Sequence, residues 1–408
     1  MTTDYDVVII GGGMVGASLA RALAVGGLRT AVIEAWSVES SKQPSYDDRA
    51  IALAFGTRRI FEGLGVWKTL APHAEPILHI HVSNKGHFGF TRLHHDEMDV
   101  PALGYVVTGH VLGTTLFQGL EGIENLDLFC PAVMNSFEIE PDRVNLTFNR
   151  DGEGQTLSAR LLVAADGAKS AVREGVGIEV REWGYGQSAV ISNVTPGVEV
   201  GGIAFERFTR TGPLAMLPLT HDRYGLVWTV TDEQLPEVLA LDDDAFLARL
   251  QAEFGNRLGR LRRAGRRSIY PLKLLQAKEH VRPRVALIGN AAHAVHPITG
   301  QGFNLGIRDV AVLAEVLTDA AAQGGDPGDL KVLERYARWR KRDQQAVAMM
   351  TDGLVRLFTN PMLPISLARN LGLLALDVAP SAKRLLTRQF MGLNGRLPRL
   401  SRGLPIDA

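Results

Sequence analysis

Apolar positions follow two rhythms along this chain. Unbroken apolar runs at residues 6–10 (DVVII), 30–33 (TAVI), 103–107, 162–165 and 285–288 (VALI) predict short strands buried on both faces of a sheet. Between residues 77 and 90 the pattern alternates, with Ile80 and Val82 on one face and His79, His81 and Ser83 on the other, the solvated one. Strand-like runs return at 189–194, 202–208, 213–219 and 224–230, and a helix at 243–254 interrupts the segment. Residues 144–148 and 157–161 form a hairpin around Asp151-Gly152. Helical spacing covers 17–25, 111–120 and the stretch from 303 through Leu317. The apolar stretch after Asp47-Asp48-Arg49, through Leu53, also reads as helical.

Glycines mark where these elements meet a ligand. Gly11, Gly13 and Gly16 form G-x-G-x-x-G between the first strand and the first helix, and Glu34 ends the second strand. In that setting Gly11 makes the tight turn, Gly13 admits a pyrophosphate and Gly16 lets helix and strand pack closely. Glu34 suits an unphosphorylated adenosine ribose, so FAD or NAD rather than NADP. Arg49, beside an element start, offers a guanidinium that reads either as a diphosphate ligand or as a surface charge. Asp166-Gly167 ends another strand ahead of a helix start, as a tight turn with an N-capping acid. The run 285–309, VALIGNAAHAVHPITGQGFNLGIRD, leads a strand through a Gly-rich loop into a helix N-terminus, whose free N–H groups suit an electron-rich ligand atom.

Composition removes other classes. The chain has 408 residues, with 44 basic and 44 acidic side chains, so no global nucleic-acid footprint exists. Cys130 stands alone, which excludes a disulfide framework, a Cys-rich zinc site and a dithiol centre. His79, His81, His94 and His95 lack a metal-ligand spacing and read as solvated. No uncharged run is long enough for a bilayer span and no signal pattern opens the chain, so the expectation is a cytoplasmic protein, soluble or peripheral at the inner face of the membrane.

Three segments in order, GGGMVG, ADGAKSAVR and IGNAAHAVHPITGQGFNLGIRD, with DDRAIAL between the first two, resemble the single-component flavin aromatic hydroxylases. These share their fold with p-hydroxybenzoate hydroxylase. GYVVTGHVLGTTL, ERFTRTGPLAMLPL and YARWRKRD are most similar to the ubiquinone-biosynthesis hydroxylases, the 2-polyprenyl-6-methoxyphenol hydroxylase family. The resemblance spans essentially the whole chain. It implies an α/β fold: a Rossmann-like FAD-binding domain, an inserted mostly antiparallel sheet domain for substrate, and a C-terminal helical tail. The expected division is 1–72, 101–180 and 275–345 for FAD, 73–100 and 181–274 for substrate, and 346–408 for the tail.

The resemblance also implies roles. Gly11, Gly13, Gly16 and Glu34 would hold the FAD adenosine and diphosphate, with Arg49 on the diphosphate. Asp166 and Gly167 would serve the diphosphate and the nicotinamide route. Asn290 stands where the family usually has an Asp on the ribityl chain; an amide can serve a hydroxyl equally. Pro297 would lie at the flavin's reactive edge, Gly302, Phe303 and Asn304 would present backbone N–H groups to its pyrimidine carbonyl, and Gly300 would belong to the same cofactor-binding loop. His293 would stand behind the loop or simply pack within it. NAD(P)H would be a transient co-substrate, since only one dinucleotide fingerprint exists. The implied reaction passes one oxygen atom of O2, through a flavin hydroperoxide, to an electron-rich polyprenyl phenol. No protein base is singled out. A prenyl-chain reductase of the same fold and a non-catalytic flavin-binding scaffold are the rival readings, and the intact 297–304 loop argues against the scaffold.

Residues 353–403 carry eight basic side chains against the single acid Asp377. After Pro380, residues Ala382, Leu385, Leu386 and Phe390 fall on one helical face, with Lys383, Arg384 and Arg388 away from it. This predicts a basic surface, either solvated or turned to a membrane or a partner in a quinone-biosynthesis complex.

Overall fold

The structure is a computed structural model that describes residues 3–37, 48–295, 300–360 and 362–407. One sheet runs in the order Val281–Arg282, Val285–Leu287, Glu153–Ala164, Tyr5–Ile10, Thr30–Ile33, Leu126–Phe129. From Val285–Leu287 onward its neighbours are parallel. Its central strands are buried along nearly their whole length, which explains why the sequence shows them as unbroken apolar runs. The helices Met14–Val25 and Gln301–Ala322 cover one side and share a core with Val7, Ile9, Val32 and Val163. Val144–Arg150 pairs antiparallel with Glu153–Ala164 across the Asp151-Gly152 turn.

The nine-stranded sheet is antiparallel except where Ile203–Thr209 runs parallel to His79–Asn84. The helix Asp243–Phe254 packs on one of its faces. Its other face meets the three-stranded sheet of Ala50–Ala54, Gly104–Thr108 and Glu75–Ile77, and the helices that begin at Leu330.

The structure corrects four local expectations. Residues 50–54 form a strand paired with Gly104–Thr108, and the helix starts only at Phe55. The run AIALA is compatible with either state, and pairing with a distant strand decides it. The boundary expected at 345/346 falls inside one continuous helix, Leu330–Thr359. His81 is buried between Phe90 and Phe205 rather than solvated, and burial pushes its imidazole down to about 4. In Pro380–Phe390 the buried face carries Lys383 and Thr387, while Leu385 is exposed. Lys383 turns inward because Glu97 waits there, 2.9 Å from its ammonium, a partner far away in sequence.

Candidate active site

At the carboxyl end of Tyr5–Ile10 the chain turns away from the sheet, and the next strands in sequence and in space lie on opposite sides of it. That is where an open α/β sheet leaves a crevice for a ligand. Gly11 has φ +100°, and a Cβ there would stand 2.5 Å from the Ala165 carbonyl oxygen. A Cβ on Gly16 would collide with the Gly11 carbonyl oxygen, so this glycine sets how closely the helix approaches the loop. Glu34 is buried beneath the loop, its carboxylate accepting hydrogen bonds from Gly12 N (2.5 Å) and Trp36 N (2.8 Å).

Two helix N-termini meet here without side-chain caps. Gly13 caps Met14–Val25 and Gly300 caps Gln301–Ala322, and neither helix receives a side-chain capping bond. Thr108, Ser170, Asp242 and Asp329 do supply such bonds to their helices. The two glycine-capped helices touch: a Cβ on Gly306 would lie 3.1 Å from Val15, and one on Gly289 3.2 Å from the same residue. Each helix therefore keeps first-turn N–H groups and a positive dipole end available to an electron-rich ligand. That donor set fits a dinucleotide such as FAD.

The other expected residues separate into groups. Gly167 follows Asp166 with positive φ, and Ser170 takes the N-cap position, accepting from Arg173 N at 3.0 Å. Asp166 instead accepts from Val172 N (3.3 Å) through Oδ2 and keeps Oδ1 buried without a partner among the described residues. Burial raises its pKa, against hydrogen bonds from Ser170 and nearby amides. Asn290 lies exposed on the short turn Gly289–Ala291. Gly302 and Phe303 fall in the first turn of Gln301–Ala322, with Phe303 packed on the core. The Asn304 side chain faces inward: it accepts from Ala54 N and Thr57 Oγ1 (both 2.7 Å) and donates to Ala52 O and Gly300 O. It thereby clips the helix to the strand Ala50–Ala54. Arg49 places its guanidinium 4.5 Å over the Tyr270 ring of the nine-stranded sheet. Pro297 lies outside the described residues.

One constellation escaped the sequence reading. Asp309, fully buried, accepts through Oδ2 from Gly289 N (3.1 Å) and pairs there with His293 Nε2 (2.6 Å). Through Oδ1 it accepts from Arg340 Nε (2.7 Å) and Gln344 Nε2 (2.9 Å). Burial opposes its charge, yet His293 and Arg340 hold the carboxyl well below the ordinary carboxylate range. In the same segment Tyr336 donates to Leu287 O (3.0 Å), and Asp343 pairs with Arg308 (2.9 Å) and Arg340. The segment YARWRKRD thus braces the 285–309 loop from behind. Tyr336, Arg340 and Asp343 sit at helical spacing on one face, the signal that could have revealed it.

Fold and site together define an FAD-dependent monooxygenase of the aromatic-hydroxylase type. Residues 4–351 match the FAD binding domain family. The p-nitrophenol 4-monooxygenase PnpA from Pseudomonas putida superposes with TM-score 0.80 over 97% of this chain and 100% of that one, at 21% identity, which shows the fold. Ubiquinone hydroxylase UbiL of Rhodospirillum rubrum is 40% identical over 98% of this chain and 93% of that protein. The 3-demethoxyubiquinol 3-hydroxylase of Escherichia coli is 32% identical over 95% of this chain and 98% of its own. The chain therefore belongs to the FAD-dependent hydroxylases of ubiquinone biosynthesis.

Proposed function

We propose that this protein hydroxylates the ring of a polyprenyl phenol on the route to ubiquinone, with NAD(P)H as transient reductant and O2 as oxygen source. The observation that carries the reading is the convergence of two glycine-capped helix N-termini at the switch point of the parallel sheet. In this reading Gly11, Gly13 and Gly16 admit the FAD diphosphate, Glu34 holds the adenosine ribose beside Gly12, and Arg49 and Asp166-Gly167 complete the diphosphate side. Asn290, exposed on its turn, serves the ribityl hydroxyls. The amides of Gly300, Gly302, Phe303 and Asn304 meet the pyrimidine edge, and Pro297 borders the reactive edge. Bound FAD, reduced by NAD(P)H, supplies an activated oxygen atom; the protein orients the ring and excludes water. The segments 1–72, 101–180 and 275 onward into the helix Leu330–Thr359 bind FAD, and 73–100 and 181–274 present the substrate face.

The tail supports a membrane-facing role, on different residues from those expected. No helix among the described residues is long and apolar enough to cross a bilayer. Leu371 (58% exposed) and Val378 (80%) stand out from one C-terminal helix, and Leu385 (63%) from the next, which also carries the exposed Arg384 and Arg388. Apolar side chains beside cations suit an anionic lipid surface, where a prenylated substrate resides. The test pairs two measurements. The flavin-loaded protein should consume NAD(P)H only with O2, faster with a prenylated phenol, and the product should gain one hydroxyl. It should also float with anionic liposomes at low salt. Anaerobic turnover that saturates the prenyl chain would point to a reductase instead.

A further inference from the structure

Among the polar groups buried in the nine-stranded sheet is a carboxyl without a partner. Glu206, on Ile203–Thr209, is 9% exposed, and its Oε1 is buried with no hydrogen bond among the described residues. Its side chain shares a face with its cross-strand partners Val82 and Ala215 and with Ala204 and Phe208 on its own strand. Ala204 packs in a cluster with Ile77, Val106 and Leu219, joined by Ala50 and Ala52. Phe208 packs with Val355, Phe358 and Leu373 of the C-terminal helices, its ring stacked 3.5 Å from Phe358. Glu206 thus stands at the seam between these clusters, about 7 Å along the strand from Ala204.

That seam is tied to the flavin-edge loop. A Cβ on Gly300 would lie 3.0 Å from Ala52 Cβ, and the Asn304 side chain bonds both Ala52 O and Ala54 N. The Ala52 side chain in turn packs against the cluster containing Ala204. Loop, strand and sheet face therefore form one continuous wall, with an unpaired carboxyl set into it.

We propose that Glu206 is the catalytic proton acceptor for the substrate phenol. The inference rests on the hydroxylase reading above and adds a residue to it. The phenol O–H bond breaks, its proton passes to a Glu206 oxygen, and the freed electron pair enriches the ring carbon. That carbon bonds one oxygen atom as the O–O bond derived from O2 breaks, and the other oxygen leaves as water, reduced by the two electrons of NAD(P)H. Restoring aromaticity releases the ring C–H proton to water, and Glu206 returns its proton to the first oxygen. Burial supports the assignment by pushing the carboxyl up to about 8, closer to a phenol than an ordinary carboxylate is. The three-stranded sheet packed against this face brings Glu75 and Tyr105, the latter edge-on to Trp67, and the following groups of the neighbouring strands and C-terminal helices are engaged elsewhere. Tyr185 bonds Asp352 (3.2 Å), Asp352 pairs with Arg356 (2.8 Å), Asp377 accepts from Thr91 and Arg92, and Arg369 donates to backbone carbonyls. None forms an ion pair with Glu206 among the described residues.

The test compares flavin-loaded wild type, Glu206→Gln and Glu206→Asp with NAD(P)H, O2 and a 2-prenylphenol. Product formation by the wild type should rise with pH toward about 8. Glu206→Gln should lose that rise and form product roughly 100-fold more slowly, with reductant diverted to hydrogen peroxide. Glu206→Asp should recover part of the rate. Infrared difference spectra without NAD(P)H give a readout independent of turnover. The phenol should shift a protonated-carboxyl band in the wild type, and Glu206→Gln should lack that band. A Gln variant with the wild-type rate and pH profile would overturn the proposal, as would a carboxyl band that the phenol leaves unmoved. A wild type whose band shifts but which forms no hydroxylated product would support the Glu206 contact and overturn the hydroxylase reading instead.

Discussion

On one face of the nine-stranded sheet, Leu214, Met216, Leu226, Trp228 and Val230 pack against Phe246, Leu250 and Phe254 of a single helix, all buried. On the opposite face Gln187 Oε1, Asn193 Oδ1, Glu206 Oε1 and Thr229 Oγ1 are buried without hydrogen-bond partners among the described residues. Both faces are covered, but among the described residues the first leaves one such atom, His81 Nε2, against four on the second. A buried polar atom without a partner costs about 1–3 kcal/mol, so several on one surface imply a surface shaped for something other than stability. The first face holds the sheet together. The second faces the strand Ala50–Ala54, to which Asn304 clips the helix after the flavin-edge loop, and is where a polar aromatic substrate would find partners.

Breaking the closed face should have the largest effect on folding. Trp228→Ala should cost about 3–5 kcal/mol of stability. Activity per folded molecule should survive at low temperature, as checked by urea melts beside flavin-normalised rates.

Glu206→Gln sharpens the contrast through pH. Below about pH 4.5 the carboxyl is neutral in folded and unfolded chains alike. Between there and about 8 the unfolded chain ionises first, so the native state of the wild type loses stability as pH rises. The Gln variant escapes that loss. Its unfolding free energy should match the wild type near pH 4 and exceed it increasingly toward pH 8, by a few kcal/mol in all, as read from urea melts at each pH.

Thr229→Val removes one unpartnered hydroxyl with little change of shape. It should leave stability unchanged or raise it by about 1 kcal/mol, and alter KM for the phenol more than the melting curve. Leu371→Ser and Leu385→Ser, on the exposed tail, should change stability by less than about 0.5 kcal/mol while weakening liposome flotation.

Four strands of the parallel sheet were readable because they are buried and so appear as unbroken apolar runs, whereas the half-exposed edge strand Leu126–Phe129 was not. The glycine loops were readable because positive φ and close backbone approach restrict the residue type at Gly11 and Gly16. What failed was whatever depends on a distant partner. Ala50–Ala54 became a strand through Gly104–Thr108. Lys383 turned inward toward Glu97, leaving Leu385 to solvent. Alternation places Glu206 on a definite face of its strand, but not that both faces are covered, so a buried carboxyl reads locally as a solvated one. Asp309 shows the same limit, because Arg340 and Gln344, two of the side chains that hold it, come from the next helix, 31 and 35 residues further along the chain.

The central claim is that this fold transfers oxygen from O2 to a phenol ring. Its most direct test is a turnover of the flavin-loaded protein with NAD(P)H and a prenylated phenol under isotopically heavy O2 in ordinary water. One heavy oxygen atom should appear in the new ring hydroxyl, with the prenyl chain intact. A hydroxyl carrying oxygen from water, or a product with the ring unchanged and the chain reduced, would contradict it.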